Sequence, residues 1–444
     1  MESARNLYKK DVDFGALALQ CRDFAKYLKP NNQLDFTDPA AVRQLTTTLL
    51  QQDFHLKVKI PEDRLCPPPC MHVSHIQYRL NYILWIQDLI DSTAGGLNDG
   101  YDRDREVVGL DIGTGCIGIY PLLGCSTRPG WKFVATDIDP NNIRTAQQNV
   151  ALNGLESRIR IIESSSDGPL FPFEKLGHER LDFTMCNPPF YTSRDELVES
   201  AKQKKRPPFS ACTGAEVEMV TRGGEVDFVR KMIDESLHLR DRIQWYTSMV
   251  GKMSSVSVLV ETLIKHGNHN FAVTEFDQGA KTKRWAVAWS WGDRRPSTDV
   301  ARGIPNLPKS LFPFPAEYNF TLPVDVTIDA CAGMLNTELI SLPWHWRWDE
   351  KDSTGTGLAA ENVWSRQARR KMKLAAEDDI AKLKEIPDKV ALGVLVYLRL
   401  VLGDKSKDNS EEKKVQTVIR WTQGTDTVLY ESFCGMVKRK LESR

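Results

Sequence analysis

The chain has 444 residues, long for one compact domain and comfortable for two. Its 59 Lys plus Arg balance 59 Asp plus Glu, so bulk charge does not mark a polyanion binder, and affinity for one has to come from local basic patches. At 41% hydrophobic residues a real core can form; no apolar run reaches membrane-spanning length, the Met1–Lys10 start is polar rather than a signal peptide, and nine scattered cysteines exclude a disulfide framework and point to a reducing compartment, cytosol or nucleus.

Two helices are expected at Phe14–Leu28 and Asp38–Phe54, the second opening on Thr37-Asp38-Pro39, an N-cap signal followed by proline in the first turn. A third, Ile76–Asp91, carries Ile76, Leu80, Ile83, Leu84 and Leu89 at helical spacing. From Glu106 strands alternate with helices: strands at Val107–Asp111, Lys132–Asp137, Arg158–Ile162, Leu181–Cys186, Gln244–Met249, Phe271–Phe276 and Trp285–Trp291, with helices at Pro140–Asn153 and Glu225–Leu239. That alternation predicts an α/β, Rossmann-like, doubly wound sheet binding its ligands at the carboxyl ends of the strands. The last two strands read as a hairpin-type pair. Gly292–Ala316, rich in proline, glycine and charge, reads as a linker. Beyond it Phe320–Ala330 and Glu338–Trp348 are strand-like, then a helix at Ala359–Ala376; Lys389–Leu402 and Val415–Thr422 are strand-like, then a helix at Thr427–Leu441. The expected domains are a helical module (1–104), a catalytic domain (105–291), the linker (292–316) and a C-terminal α+β domain of two ββα units (317–444).

The chemistry concentrates at strand ends. Asp111-Ile112-Gly113-Thr114-Gly115 closes the first strand, and its glycines allow a tight turn and close backbone approach to a ligand. Asp137 ends the second strand, where an acid accepts from ribose hydroxyls. Gly113, Gly115 and Gly118 alone also match a dinucleotide fingerprint, so a nicotinamide enzyme competes. Asp111, directly before the turn and able to bind an ammonium, favours S-adenosylmethionine.

Cys186-Asn187-Pro188-Pro189-Phe190 ends the fourth strand. An exocyclic adenine amine is a poor nucleophile because its lone pair is delocalised into the ring. Hydrogen bonds from it to the Asn187 side-chain oxygen and the Pro188 carbonyl would hold it and stabilise the positive charge that develops as methyl arrives. Pro189 stiffens the loop and brings no competing N–H. Phe190 offers a flat face for an unstacked base. A plain strand-ending turn is the bland alternative; the motif itself does not separate adenine from glutamine or cytosine amines, although phenylalanine at its fourth position leans to adenine.

The segments Asp111–Gly124, Asn187–Phe190, Arg79–Ile83, Gly223-Gly224-Glu225 and Thr282-Lys283-Arg284-Trp285 together resemble the eukaryotic U6 small nuclear RNA adenine-N6 methyltransferases, up to about Trp291. The resemblance implies a nuclear enzyme, with the cytosol as a second compartment, acting on structured RNA: U6 and, for some members, hairpins in the messenger RNA of S-adenosylmethionine synthetase. It implies that Arg79 contacts the cofactor carboxylate and that Arg284 lies on the RNA surface; Arg79 thus joins Asp111, Gly113, Thr114, Gly115, Asp137 and Asn187 as the candidate cofactor set, and Lys283 joins Arg284 as an RNA candidate. Asp137 stands where many members have glutamate.

Lys204, Lys205 and Arg206, within the Lys202–Arg206 run, are candidates for gripping phosphates, against a merely solvated loop. Arg369, Arg370 and Lys371 form a basic cluster on an expected helix; wet helix faces are often charged, and the expected repeat favours RNA contact. Cys66, Cys70, His72 and His75 resemble a zinc set, but their irregular spacing and three intervening prolines argue for no metal. Trp344, Trp346 and Trp348 alternate as one strand face in a core does. A protein-glutamine methyltransferase and a non-catalytic RNA-binding protein remain the competing functions.

Overall fold

The computed structural model describes residues 12–64, 75–95, 101–193, 196, 219–277, 283–322, 326–372, 374, 376–402 and 413–443, in two compact units. The first comprises Met1–Asp91, Tyr101–Gly292 and Val300–Phe312; the second comprises Ser92–Gly100, Asp293–Asp299 and Pro313–Arg444.

In the first unit four helices precede the sheet: α1 (Phe14–Gln20), α2 (Arg22–Ala25), α3 (Pro39–Phe54) and α4 (His75–Ser92). The single helix expected over Phe14–Leu28 is two, because Cys21 takes extended dihedrals, and Phe24 there is fully buried 6.2 Å from Phe14 between ring centroids. Asp38 caps α3 by accepting from Ala40 N, as a first-turn proline and N-cap acid require.

Then follow β1 (Val107–Ile112), α5 (Ile119–Thr127), β2 (Trp131–Asp137), α6 (Pro140–Leu152), β3 (Ile159–Glu163), α7 (Phe173–Leu176), β4 (Leu181–Cys186), α8 (Gly224–Leu239), β5 (Ile243–Val250), α9 (Met253–Lys265), β6 (Phe271–Asp277) and β7 (Lys283–Trp289). The sheet order is β3-β2-β1-β4-β5-β7-β6-β8, where β8 is Arg302–Gly303. Strands β1 to β5 are parallel, and β7 runs antiparallel between β5 and β6. Residues alternate between two cores: Phe133 and Ala135 face the N-terminal helices, while Val134 faces the core with Val229 and Met232 of α8. The chain order reverses between β1 and β4, the switch point at which open α/β sheets bind ligands.

The expected linker is more ordered than a tether. It contains α10 (Thr298–Ala301) and β8, which pairs with β6 at Val273–Arg302 and Thr274–Gly303. Residues 92–100 group with the second unit, where Arg420 donates to the Ser92 carbonyl at 2.7 Å.

The second unit holds a five-stranded antiparallel sheet, order β10-β11-β12-β13-β9. Its elements are β9 (Glu317–Thr321), α11 (Ile328–Ile340), β10 (His345–Asp349), β11 (Thr354–Ala359), α12 (Arg366–Met372), α13 (Glu377–Leu383), β12 (Leu392–Leu402), β13 (Lys413–Gln423) and α14 (Thr427–Glu442). Two ββα units are present, but the first lies downstream of its expected position. Helix α11 fills the gap between the expected strands Phe320–Ala330 and Glu338–Trp348 and takes the inner end of each, while β9 and β10 keep parts of their outer ends; it is capped by Thr327 and buried through Cys331, Leu335 and Leu339 at helical spacing. The strand β11 was hidden by Gly355 and Gly357, whose missing side chains make room for the Trp346 and Trp344 indoles. Those indoles stack 5.3 Å apart, and Trp348 continues the stack at 6.1 Å from Trp346.

Candidate active site

The ends of β1, β2 and β4 surround a cavity of about 490 Å³, in the range of small-molecule sites. Arg79, Gly113, Thr114, Gly115, Asp137, Asn187, Pro188 and Pro189 all line it. Gly113 and Gly115 have φ of +73° and +68°, which a side chain rarely tolerates, and a Cβ on either would project into open space. The turn therefore shows bare backbone to the cavity. Asp137 fixes it from behind, accepting from Gly115 N at 2.8 Å.

Asp111 is 1% exposed, and neither of its carboxylate oxygens has a hydrogen-bond partner among the described residues. The buried Thr114 hydroxyl lacks one too. Burial pushes Asp111 up to about 7; the Thr114 hydroxyl and the Arg79 guanidinium oppose the rise and Asp137 adds to it. Asp111 is not among the residues that line the cavity but directly precedes its glycine turn; a buried carboxylate there suits a cationic group, and the ammonium of S-adenosylmethionine is one. Arg79 lies over the Tyr120 ring, 5.2 Å from its centroid, where it can meet a carboxylate. These donors and acceptors fit that cofactor: a cation for its carboxylate, an anion for its ammonium, and Asp137 for its ribose.

At the end of β4, Asn187 and Pro189 are half-buried and Pro188 is buried. Burial, with the neighbouring Asp111 adding, raises the Cys186 thiol well above its ordinary range, so it stands there as a neutral wall. Phe190 sits against Gly251, where a Cβ would come 3.0 Å from its ring, and the Arg284 guanidinium lies 5.1 Å from its ring centroid. Lys283 pairs with Glu275 at 2.9 Å. In the second unit Arg369, Arg370 and Lys371 are exposed on α12. Lys204, Lys205 and Arg206 lie outside the described residues, as do Cys66, Cys70, His72 and the His75 side chain.

Several supporting groups have partners that no local signal gives, although Tyr82 and Glu225 lie in segments that carry the resemblance. Tyr82 accepts from Cys186 N at 3.4 Å and contacts Thr247 Oγ1 at 2.6 Å; Thr247 in turn donates to the Thr184 carbonyl at 2.7 Å. Glu225, at the start of α8, accepts from Gly251 N at 2.6 Å and so holds the ledge beneath Phe190. Glu235, further along α8, accepts from Leu170 N and Phe171 N, fixing the end of a loop whose Ser164, Ser165 and Ser166 line the cavity.

A 3-2-1-4-5-7-6 sheet core with an acidic glycine turn and an Asn-Pro-Pro-Phe loop at its switch point defines a class I, amine-directed methyltransferase. A family model described as RNA methyltransferase matches residues 2–293. The U6 small nuclear RNA (adenine-(43)-N(6))-methyltransferase of Schizosaccharomyces pombe is 35% identical over 415 residues, 93% of this chain and 96% of its own. RNA N(6)-adenosine-methyltransferase METTL16 of Homo sapiens is 41% identical over 300 residues, 65% of this chain and 50% of its own length. The hMettl16 catalytic domain in complex with MAT2A 3'UTR hairpin 1 superposes with a TM-score of 0.56 at 39% identity, covering 65% of this chain and 94% of that one. The N-terminal domain of human METTL16 in complex with SAH does so at 0.52 and 37%, covering 65% and 98%. This chain belongs to the RNA methyltransferase family. S-adenosylmethionine is its methyl donor. No helix among the described residues is long and apolar enough to cross a membrane.

Proposed function

We propose that this chain methylates the N6 amine of an adenosine in structured RNA, with U6 small nuclear RNA as its first substrate and messenger RNA hairpins as further ones, and that it works in the nucleus. One observation carries the reading: the Asn187-Pro188-Pro189 loop lines the same cavity as the Gly113-Thr114-Gly115 turn. The relatives act by name on RNA adenosine, which sets adenine before a protein glutamine.

The bound cofactor supplies an electrophilic methyl group on a sulfonium. Arg79 and Asp111 hold its two charged ends, Asp137 its ribose, and the bare backbone at Gly113 and Gly115 lets it sit close. The Asn187 side-chain oxygen and the Pro188 carbonyl accept the two N6 hydrogens, turn the nitrogen lone pair toward the methyl carbon and stabilise the charge developing on nitrogen. Phe190 stacks the extruded base. The methylated amine is acidic enough to release its proton without a strong base. Arg284 beside Phe190, its chain neighbour Lys283, and Arg369, Arg370 and Lys371 on the second unit meet phosphates, as do Lys204, Lys205 and Arg206 beyond the motif in sequence.

The test is methyl transfer from labelled S-adenosylmethionine to transcribed U6 RNA, beside a version with its candidate adenosines replaced. N6-methyladenosine only in the unaltered RNA is the expected result; label in protein instead would sink the reading. Asn187→Ala should lower turnover by at least about 10²–10³-fold while leaving S-adenosylhomocysteine binding largely intact.

A further inference from the structure

Helix α6 carries Asn142 and Asn149, and its C-cap Asn153, toward the segment that leads out of α3. Asn142 and Asn149 are 1% and 0% exposed, unusual for this residue type on a helix that caps a sheet. Their partners explain the burial. Asn153 exchanges both amide hydrogen bonds with the Lys57 backbone, at 2.8 Å each way. Asn149 does the same with the Lys59 backbone, at 2.7 and 3.1 Å. Four helical residues rise about 6 Å and two extended residues span about 6.7 Å, so each amide replaces a neighbouring strand for every second residue of 57–59. Leu56 and Val58, in alternation, point into the core. This pairing sets the register in which the segment reaches Arg64.

Arg64 Nε donates to Asn142 Oδ1 at 3.0 Å, and Asn142 Nδ2 faces Asp137 Oδ1 at 3.4 Å. The guanidinium decides which way the amide points. With its oxygen committed to Arg64, Asn142 must present its N–H to Asp137; without Arg64 the amide can turn and present oxygen to a carboxylate. Asp137 Oδ1 also accepts from Asp139 N at 2.9 Å, and Oδ2 accepts from Gly115 N at 2.8 Å. An ionised carboxylate oxygen has about two acceptor positions, so Oδ1 is filled by protein and Oδ2 keeps one for a ligand.

We infer that Arg64 is a positioning residue for cofactor binding: acting through Asn142, it holds Asp137 with one acceptor position turned to the ribose. The inference rests on reading Asp137 as the ribose acceptor. It makes cofactor affinity depend on the seating of residues 57–64, although those residues need not touch the cofactor.

Titration calorimetry with S-adenosylhomocysteine on the full chain tests it, read for Arg64→Ala, Asn142→Ala, the double variant and Asp137→Asn. Asp137→Asn should weaken binding; if it does not, the reading of Asp137 fails first. Arg64→Ala and Asn142→Ala should each weaken binding about tenfold, and the double variant also about tenfold rather than about a hundredfold, since the two act as one unit. Losses that multiply in the double variant, or an Arg64→Ala protein that binds normally while Asp137→Asn does not, overturn the inference. Should Arg64→Ala fail to fold, Arg64→Lys keeps the cation beside Asp63 and Asp139 without the Nε fork; intermediate affinity is expected and wild-type affinity overturns the proposal.

Discussion

Asp111 shows what one residue is asked to do. A carboxylate 1% exposed and without a hydrogen-bond partner among the described residues is held where its charge is costly, and burial pushes it up to about 7. Against a usual unfolded value of about 3.9 the shift is upward, so it is the acid form that the fold favours. The ligand-free protein therefore loses stability through this group as pH rises from about 4 to 7, and no more above that. Binding inverts the preference, because an ammonium stabilises the carboxylate; below pH 7 the ligand must displace a proton. S-adenosylhomocysteine affinity should accordingly be about tenfold weaker at pH 6 than at pH 8 in calorimetry, with protons released on binding in the lower range. Asp137 is shifted upward as well, by burial, so the assignment needs Asp111→Asn: weak binding with most of the pH dependence gone. A wild-type affinity flat across that range would show that Asp111 does not meet the ammonium.

At the scale of elements, α4 illustrates why the site was only partly legible in the sequence. Its helical register was readable from the 3.6-residue spacing of Leu80, Ile83, Leu84 and Leu89. The strand-end motifs were readable for another reason: each packs its chemistry into five or fewer consecutive residues, and the βα alternation says where a strand ends. Tyr82 lies in the Arg79–Ile83 segment that carries the resemblance, but nothing local gives its partners. It meets Thr247 across 165 positions of chain, and Cys186 across 104. Only the fold shows that it ties the residue before Asn187 to β5. The partners of Glu225 and Glu235 are hidden likewise, being backbone N–H groups distant in sequence. In the second unit the difference between expectation and structure is one of period. The apolar residues near α11 also suit a strand, and nothing local says that Gly355 and Gly357 belong beneath indoles. The Tyr82 relay gives the matching prediction. Tyr82→Phe leaves the ring among Trp85, Tyr120 and Phe276 but removes the acceptor for Cys186 N–H. A buried hydrogen bond of this kind contributes about 1–3 kcal/mol when its partner is stranded. The variant should show a lower melting temperature and a reduced kcat, with S-adenosylhomocysteine affinity unchanged, since Arg79 and Asp111 keep their places. Unaltered kcat together with a lowered melting temperature would make Tyr82 a stability residue only.

For the whole molecule, balanced charge has a consequence for how RNA is held. With 59 basic and 59 acidic side chains there is no general attraction to a polyanion, so binding depends on where cations are left unneutralised. Many exposed cations of the first unit are engaged: Lys132 with Glu106, Arg180 with Asp241, Lys252 with Glu196. On α12 of the second unit Arg369 and Arg370 are exposed one turn or less from Lys371, which pairs with Glu361 at 3.5 Å with both side chains largely in water. Such a surface pair holds its lysine weakly and gives it up to phosphate. Replacing Arg369, Arg370 and Lys371 with glutamate in the full chain should therefore leave S-adenosylhomocysteine affinity unchanged, because α12 lies in a different unit from the cofactor cavity. RNA binding should weaken at least about tenfold at 50 mM salt, and the slope of log K against log salt should fall by roughly 0.7–0.9 for each phosphate that the protein no longer neutralises. The slope is the decisive reading. A weaker complex with an unchanged slope would mean that the substitutions disturbed the second unit while every phosphate stayed neutralised, and an unchanged affinity would confine RNA recognition to the unit that carries Phe190 and Arg284.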